Sequence, residues 1–466
     1  FNPTSDDNPQ TTGELRATSP SLAGFLGLER LFGLGLGSTD LTLGFFYQDR
    51  GIDDDVVNLA FNLPVVAQFA AYNALPPGTP IGGLEEFTGV NVPIGELGVF
   101  DTSAGVAATT MLFNQTTRSI AGFAQMDWRV VERWTLQYGM RLTDERKEAD
   151  WNRTVTQVTG TALAALGAEE FTANRSRSEL AFTPKASLRY DWSDDISAYA
   201  FWAQGFKAGG FNAQAFNDNS ADALQYAPEK ATAWELGARM WLLGGTANVN
   251  LALFRETIED LQVLTVPPNS VDTSVVNAGE ARAQGVELDS TWVPASWLTL
   301  TGTLAFNDSE FIDFPLGQCS FDRPDTDGSG DGQCDLTGEP LFRTPKWMST
   351  LVGNLRFPLA DVASLAGSPL FADGIDLIGG GTFQYQDVQY LDRAADERGR
   401  QSSFFRFGAN VGLGSLTRGW SARVVVENLT DADTAYLIRD VALGEGIFIR
   451  IPEPGRLVFG SFRWAF

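Results

Sequence analysis

Residues 456–466 read RLVFGSFRWAF. From Val458 through Gly460, Phe462 and Trp464 to Phe466, every second residue falls on one face, while Leu457, Phe459, Ser461, Arg463 and Ala465 fall on the other. From Leu457 onward the only charge, Arg463, sits on the second face. A period of two is that of a β-strand, whose successive side chains point to opposite sides. Such a strand either half-buries itself in a soluble sheet or divides lipid from an aqueous interior, and the rest of the chain decides between them.

The same period recurs in hairpins. AGFAQMDWRVVERWTLQYGMRLTDER, residues 121–146, turns near Glu132 and then sets Trp134, Leu136, Tyr138, Met140 and Leu142 on one face. Thr135, Gln137, Gly139, Arg141 and Thr143 take the other. Comparable short turns are read at SDD (193–195), LGG (243–245), VPAS (293–296) and LTRG (416–419). Each is flanked by about ten alternating residues, near the roughly 9–11 that a tilted strand needs to cross a bilayer. Between them lie polar stretches rich in Gly and Asp, at 50–117, 148–177, 208–229, 260–281, 308–344, 390–402 and 430–454. Short turns at one end and long loops at the other make an antiparallel transmembrane β-barrel of the outer-membrane type. On this scheme the chain holds about 15 strands, and single-chain bacterial barrels usually have an even number. The odd count, with no basic and apolar leader at Phe1, leads to the expectation that further strands precede it.

Composition is compatible with this reading and excludes others. The 466 residues are 44% hydrophobic and 20% charged, with a mean hydropathy of -0.09. A membrane helix needs roughly 18 consecutive apolar residues, and LAGFLGLERLFGLGLG (22–37) is interrupted by Glu29 and Arg30. A barrel escapes a hydropathy search because lipid-facing and lumen-facing residues average out. No fixed repeat of tens of residues indicates a propeller or β-helix. The net charge of -25 argues against a nucleic-acid partner, which would need cations to neutralise phosphates, and fits solvated loops. The absence of histidine removes Ser-His hydrolysis and histidine-held zinc or haem within the chain, so the reading is not that of an enzyme. Cys319 and Cys334, close together in a polar segment, suit a disulfide in an oxidising compartment.

Several segments resemble the TonB-dependent receptors, and they occur in that family's order: TGELRATSP (12–20), LTLGFFYQDR (41–50), GFKAGGFN (205–212), YAPEKATAWELGAR (226–239), NLALFRETIEDLQV (250–263), VNAGEARAQGVELDSTW (276–292), TPKW (344–347), ENLTD (427–431) and PGRLVFGSFRWAF (454–466). The last resembles the closing strand of outer-membrane barrels, which implies that Phe462, Trp464 and Phe466 are read by the assembly machinery. The resemblance further implies a barrel of about 22 strands closed by a plug. The plug, the energy-coupling box that meets TonB and the first strands would lie ahead of Phe1, outside this chain. The implied activity is uptake of a scarce nutrient complex, a ferric siderophore in the first instance, across an outer membrane of lipid and lipopolysaccharide. Oligosaccharide, cobalamin and peptide ligands stay open, as do a passive diffusion channel and an adhesion barrel.

Candidate site residues follow from position. By alternation Arg141, Glu235, Arg239, Glu287, Arg406 and Arg423 face the lumen, where charge is tolerated and lipid is absent. They either pair with neighbouring strands and the plug or mark the ligand path, Arg141, Glu235 and Arg239 being the candidates for contact. GFKAGGFN, at the outer end of a strand, supplies Phe206, Lys207, Phe211 and Asn212. Lys207 suits an anionic ligand and the rings an apolar or aromatic one, although the segment also reads as a structural Gly-rich bend. In CSFDRPDTDGSGDGQC (319–334), Asp325, Asp327, Ser329 and Asp331 alternate as in the first half of a calcium loop. Leu336 stands where the bidentate Glu would close it. The segment is read either as a structural calcium site or as a solvated acidic turn; no other cofactor is expected.

Overall fold

A computed structural model of the chain describes residues 10–19, 39–62, 106–156, 170–213, 215, 224–265, 274–315, 317–320, 333–362, 374–440 and 448–464. Fifteen strands form one antiparallel sheet in which each pairs with the next in sequence. They are β1 (Gln10–Ser19), β2 (Thr39–Asn62), β3 (Val106–Val131), β4 (Trp134–Thr156), β5 (Phe171–Asp191), β6 (Ile196–Lys207), β7 (Glu229–Leu242), β8 (Ala247–Glu259), β9 (Glu280–Ala295), β10 (Leu298–Asp313), β11 (Trp347–Pro358), β12 (Asp376–Gln386), β13 (Phe404–Ser415), β14 (Trp420–Glu427) and β15 (Leu457–Trp464). The count is the one expected. Among the described residues β1 and β15 do not pair with each other, so the sheet keeps two free edges. In hydrocarbon such an edge costs several kcal/mol for each unsatisfied backbone group. No helix among the described residues is long and apolar enough to cross a membrane; crossing falls to the strands.

The faces follow the alternation. On β7, Trp234 and Leu236 are each 59% exposed, while Glu235 between them accepts the Tyr199 hydroxyl from β6 at 2.5 Å. On β15, Phe462 and Trp464 lie exposed with Val458 on the outward face, opposite Ala422 and Trp420 of β14. Outward aromatics pair near both rims of the apolar band: Trp134 with Tyr190 (ring centroids 4.6 Å) and Trp297 with Phe357 (5.7 Å) by the short turns, Phe306 with Trp347 (4.8 Å) and Tyr385 with Phe405 (4.9 Å) by the long loops. Rings with an apolar body suit the interface between headgroup and hydrocarbon. Two inward glycines seat rings: a Cβ at Gly44 would meet Phe123, and one at Gly237 would meet Tyr199.

Three boundaries differ from the sequence reading. The polar stretches at 50–117 and 148–177 contain strand: β2 continues to Asn62, β3 begins at Val106, β4 runs to Thr156 and β5 starts at Phe171. Pairing does not stop where the membrane does; beyond it both faces meet water or loops, so the apolar alternation fades while the ladder continues. The VPAS turn lies later, because β9 carries on through Pro294 to Ala295 past a register shift after Trp292. Proline has no N–H to donate, and a bulge accommodates it. Finally, the connection from β11 to β12, on the short-turn side, is long, opening with a 3-10 turn at Leu359–Asp361.

Candidate functional site

Above the membrane band the described loop segments from residue 208 onward are stitched to one another. The first joint is apolar. Met111 and Phe113 of β3, Ala149 and Trp151 of β4, and Phe171 and Ala173 of β5 bury Phe211, Ala215 and Leu224 from the β6–β7 loop. Trp151 packs on Phe113 and Phe211 at 5.2 and 5.4 Å and donates its indole N–H to the Asn212 carbonyl at 3.0 Å. The second joint is polar. The Asn212 side-chain oxygen accepts the Val275 N–H (2.8 Å) and its amide donates to the Val275 carbonyl (3.2 Å), while the Asn277 oxygen accepts the Ala227 N–H (2.7 Å). Further along, Ala278, Phe311, Phe314, Leu336 and the Cys319–Cys334 disulfide, whose Cα atoms are 5.0 Å apart, close a second buried cluster. The Ser320 hydroxyl then donates to Asp396 at 2.5 Å, and Gln401 accepts the Ala435 N–H at 2.9 Å.

Where the last loops meet the inner faces of β12 and β13, they leave a cavity of about 290 Å³ lined by Arg343, Gln384, Gln386, Arg406, Tyr436 and Glu453, among others. Arg406 donates to Glu453 and to the Thr434 hydroxyl, both at 2.5 Å. Arg343 donates to the Tyr436 carbonyl at 2.7 Å, and its guanidinium lies 4.9 Å from the Phe342 ring and 5.0 Å from that of Tyr436. Polar side chains from strands and loops thus converge on one concave surface that faces the interior.

A family model described as the TonB dependent receptor-like β-barrel matches residues 3–429. The chain belongs to this family. Its members are outer-membrane receptors and transporters, not enzymes. The pesticin receptor of Yersinia pestis is 28% identical over 179 residues, which are 38% of this chain and 24% of that protein. The metal-pseudopaline receptor CntO of Pseudomonas aeruginosa is 27% identical over 134 residues, 29% of this chain and 18% of that one. Among solved structures, the ferric yersiniabactin uptake receptor FyuA of Yersinia pestis superposes with a TM-score of 0.65 at 18% identity, covering 98% of this chain and 54% of FyuA. The siderophore receptor PiuA of Acinetobacter baumannii gives 0.57 at 16% identity, covering 91% and 53%. At these identities the likeness is one of fold, and the chain spans about half the length of those two receptors.

Within this TonB-dependent receptor barrel the anticipated site residues part company. Phe211 and Asn212 are 7% and 5% exposed and are occupied in the loop joints. Phe206 and Lys207 are consecutive in β6, so they point to opposite faces. Lys207 reaches Glu229 at 3.6 Å, and Phe206 shares the parity of Trp202, whose ring lies tilted 6.0 Å from that of the outward Trp234. Arg141 lies against the inward rings of Phe46 (5.0 Å) and Phe123 (5.8 Å) and donates to Thr143 at 3.1 Å. Arg239 lies 5.2 Å from the Tyr199 ring whose hydroxyl binds Glu235, in the half of β7 nearer the short turns and away from the loops. Glu287 and Arg423 sit on the side opposite Val286 and Val424. Asp325, Asp327, Ser329, Asp331 and Phe466 lie outside the described residues. Of the inward charges, only Arg406 lines the cavity; Arg343 and Tyr436 came from loops, where no period marks them.

Two expected results follow from the joints. Cys319 and Cys334 are 5% and 0% exposed, so the bond closes a buried cluster. The Cys319→Ser/Cys334→Ser double variant should keep the heat-modifiable gel mobility of a folded barrel yet lose protection of residues 333–346 from thermolysin; unchanged protection would show that apolar packing holds the segment alone. The second concerns pH. Asp396 is held well below the ordinary carboxylate range by the Arg398 guanidinium, with the Ser320 hydroxyl adding to it. Glu453 is held low chiefly by the Thr434 hydroxyl, with Arg406 helping to offset the opposing effect of burial. A depressed folded-state pKa contributes stability above the unfolded value and loses it as pH falls through the folded one. Loop docking, read by near-ultraviolet circular dichroism, should therefore stay constant from neutral down to pH about 5 and weaken progressively below that.

Proposed function

We propose that the chain is the barrel of an outer-membrane receptor for the active uptake of a scarce metal complex, a ferric siderophore in the first instance, energised through TonB. The observation that carries this reading is the stitched set of outer loops around a polar, arginine-bearing cavity on the inner face. An open diffusion pore has no need of a preformed recognition surface above its lumen. FyuA and PiuA, a ferric yersiniabactin uptake receptor and a siderophore receptor, support the same direction for the ligand.

The test uses the complete gene product. Deleting the gene under iron limitation should abolish uptake of radiolabelled iron from at least one siderophore, and uptake in the parent should collapse when TonB is absent. In planar bilayers the intact protein should show no steady large conductance. A stable open pore together with unaffected iron uptake would instead establish a passive channel.

A further inference from the structure

The cavity between β12, β13 and the last loops also carries information about what it binds. In a chain of net charge -25 it gathers two guanidinium groups, Arg343 and Arg406, against one lining carboxylate, Glu453. Glu453 is already committed: it takes the Arg406 Nη2 and the Thr434 hydroxyl, and those donors hold its carboxyl in the ionised form. One positive charge is left over, and it belongs to Arg343.

Arg343 is set up to use that charge. Its backbone has a positive φ of 58°, and its N–H donates to the Tyr390 carbonyl at 3.0 Å, which anchors the residue to the neighbouring loop. The guanidinium is held by the Tyr436 carbonyl and by the Phe342 and Tyr436 rings. Guanidinium has five N–H donors in a planar fork, and among the described residues no carboxylate pairs with it. On the opposite guanidinium, the Nε of Arg406 is buried with no hydrogen-bond partner. A planar fork fixed in advance matches a carboxylate through two parallel bonds, with little side-chain entropy left to lose. Gln384 and Gln386 add neutral donors and acceptors on the same wall, suited to a hydroxyl or amide beside the carboxylate. The volume of about 290 Å³ lies at the small end of ligand cavities. It has room for one arm of a ligand.

We propose that this cavity binds a free carboxylate arm, so that the substrate class is a carboxylate-bearing metal chelate held by Arg343. This rests on the uptake reading above. The probes are ferric citrate, which carries carboxylates, and ferrioxamine B, a cationic ferric hydroxamate that carries none. Binding to the full-length receptor in detergent is followed by quenching of tryptophan fluorescence, with heat-modifiable mobility as the check on folding. Ferric citrate should bind more tightly than ferrioxamine B. Arg343→Gln should weaken ferric citrate by about tenfold or more, as expected for loss of a charge-assisted, two-point contact. Arg343→Lys should recover only part of that, because it restores the charge and not the fork. Preference for ferrioxamine B, no binding of ferric citrate, or an Arg343→Gln variant of unchanged affinity would each overturn the carboxylate assignment. If TonB-dependent iron uptake persists in those cases, the receptor reading stands without it; if uptake is absent and a steady pore appears, the receptor reading itself fails.

Discussion

Replacing Trp151 with alanine should undock the β6–β7 loop while leaving the barrel standing. The side chain is 1% exposed, lies between Phe113 and Phe211, and donates to the Asn212 carbonyl. Truncating a buried Trp costs about 3–5 kcal/mol in lost transfer energy and residual cavity. The loss falls on a joint in the long outer extension of β4, well past the roughly 9–11 residues of a crossing strand, so the membrane band is untouched. Hydrogen exchange of the Asn212 amide, which donates to the Leu224 carbonyl at 2.8 Å, should accelerate by on the order of a hundredfold to a thousandfold. Trp151→Phe keeps a ring and loses the indole N–H, so it should cost only about 1 kcal/mol. Equal effects of the two variants would mean that the hydrogen bond, and not packing, holds the joint.

The second large effect tests the facing of the sheet. Leu236 is in the middle of β7, and its outward neighbours across the ladder are Ala200 and Leu253. Leu236→Arg places a charge in hydrocarbon and should cost about 2–4 kcal/mol near the midplane of the bilayer. Glu235, one residue away, is on the opposite side with the Tyr199 hydroxyl, and Glu235→Gln should cost less than about 1 kcal/mol because an amide oxygen still accepts that bond. Urea titrations of the full-length protein in lipid vesicles measure both. If Glu235→Gln proved the more damaging variant, the inward and outward faces would have been exchanged.

Both results bear on how the chain encodes its structure. Of the resemblance motifs GFKAGGFN, YAPEKATAWELGAR and VNAGEARAQGVELDSTW, the first reads as a string either as a ligand-contact segment or as a structural bend. In three dimensions they meet at one place: Asn212 from the first holds Val275, and Asn277 from the third holds Ala227 of the second. ENLTD behaves likewise, since Asn428, at a positive φ of 48°, accepts the Ala432 N–H at 2.9 Å and donates to the Pro454 carbonyl at 3.4 Å. These residues are joints between loops.

RLVFGSFRWAF announced a strand with one outward face, and β15 is that strand, with Phe462 and Trp464 outward and Arg463 on the side of Ser421. Alternation of this kind determined the strand number, their order, the short turns at 132 and 416–419 and the division into lipid and lumen faces. All of these depend on the local two-residue period and on which solvent each face meets. The joints and the cavity depend on contacts between segments far apart in sequence: Arg343 reaches Tyr436 across 93 residues, and Arg406 reaches Glu453 across 47. Irregular loops have no period to align such partners, so only the tertiary structure, by folding those loops over the inner faces of β12 and β13 at their outer ends, could bring them together.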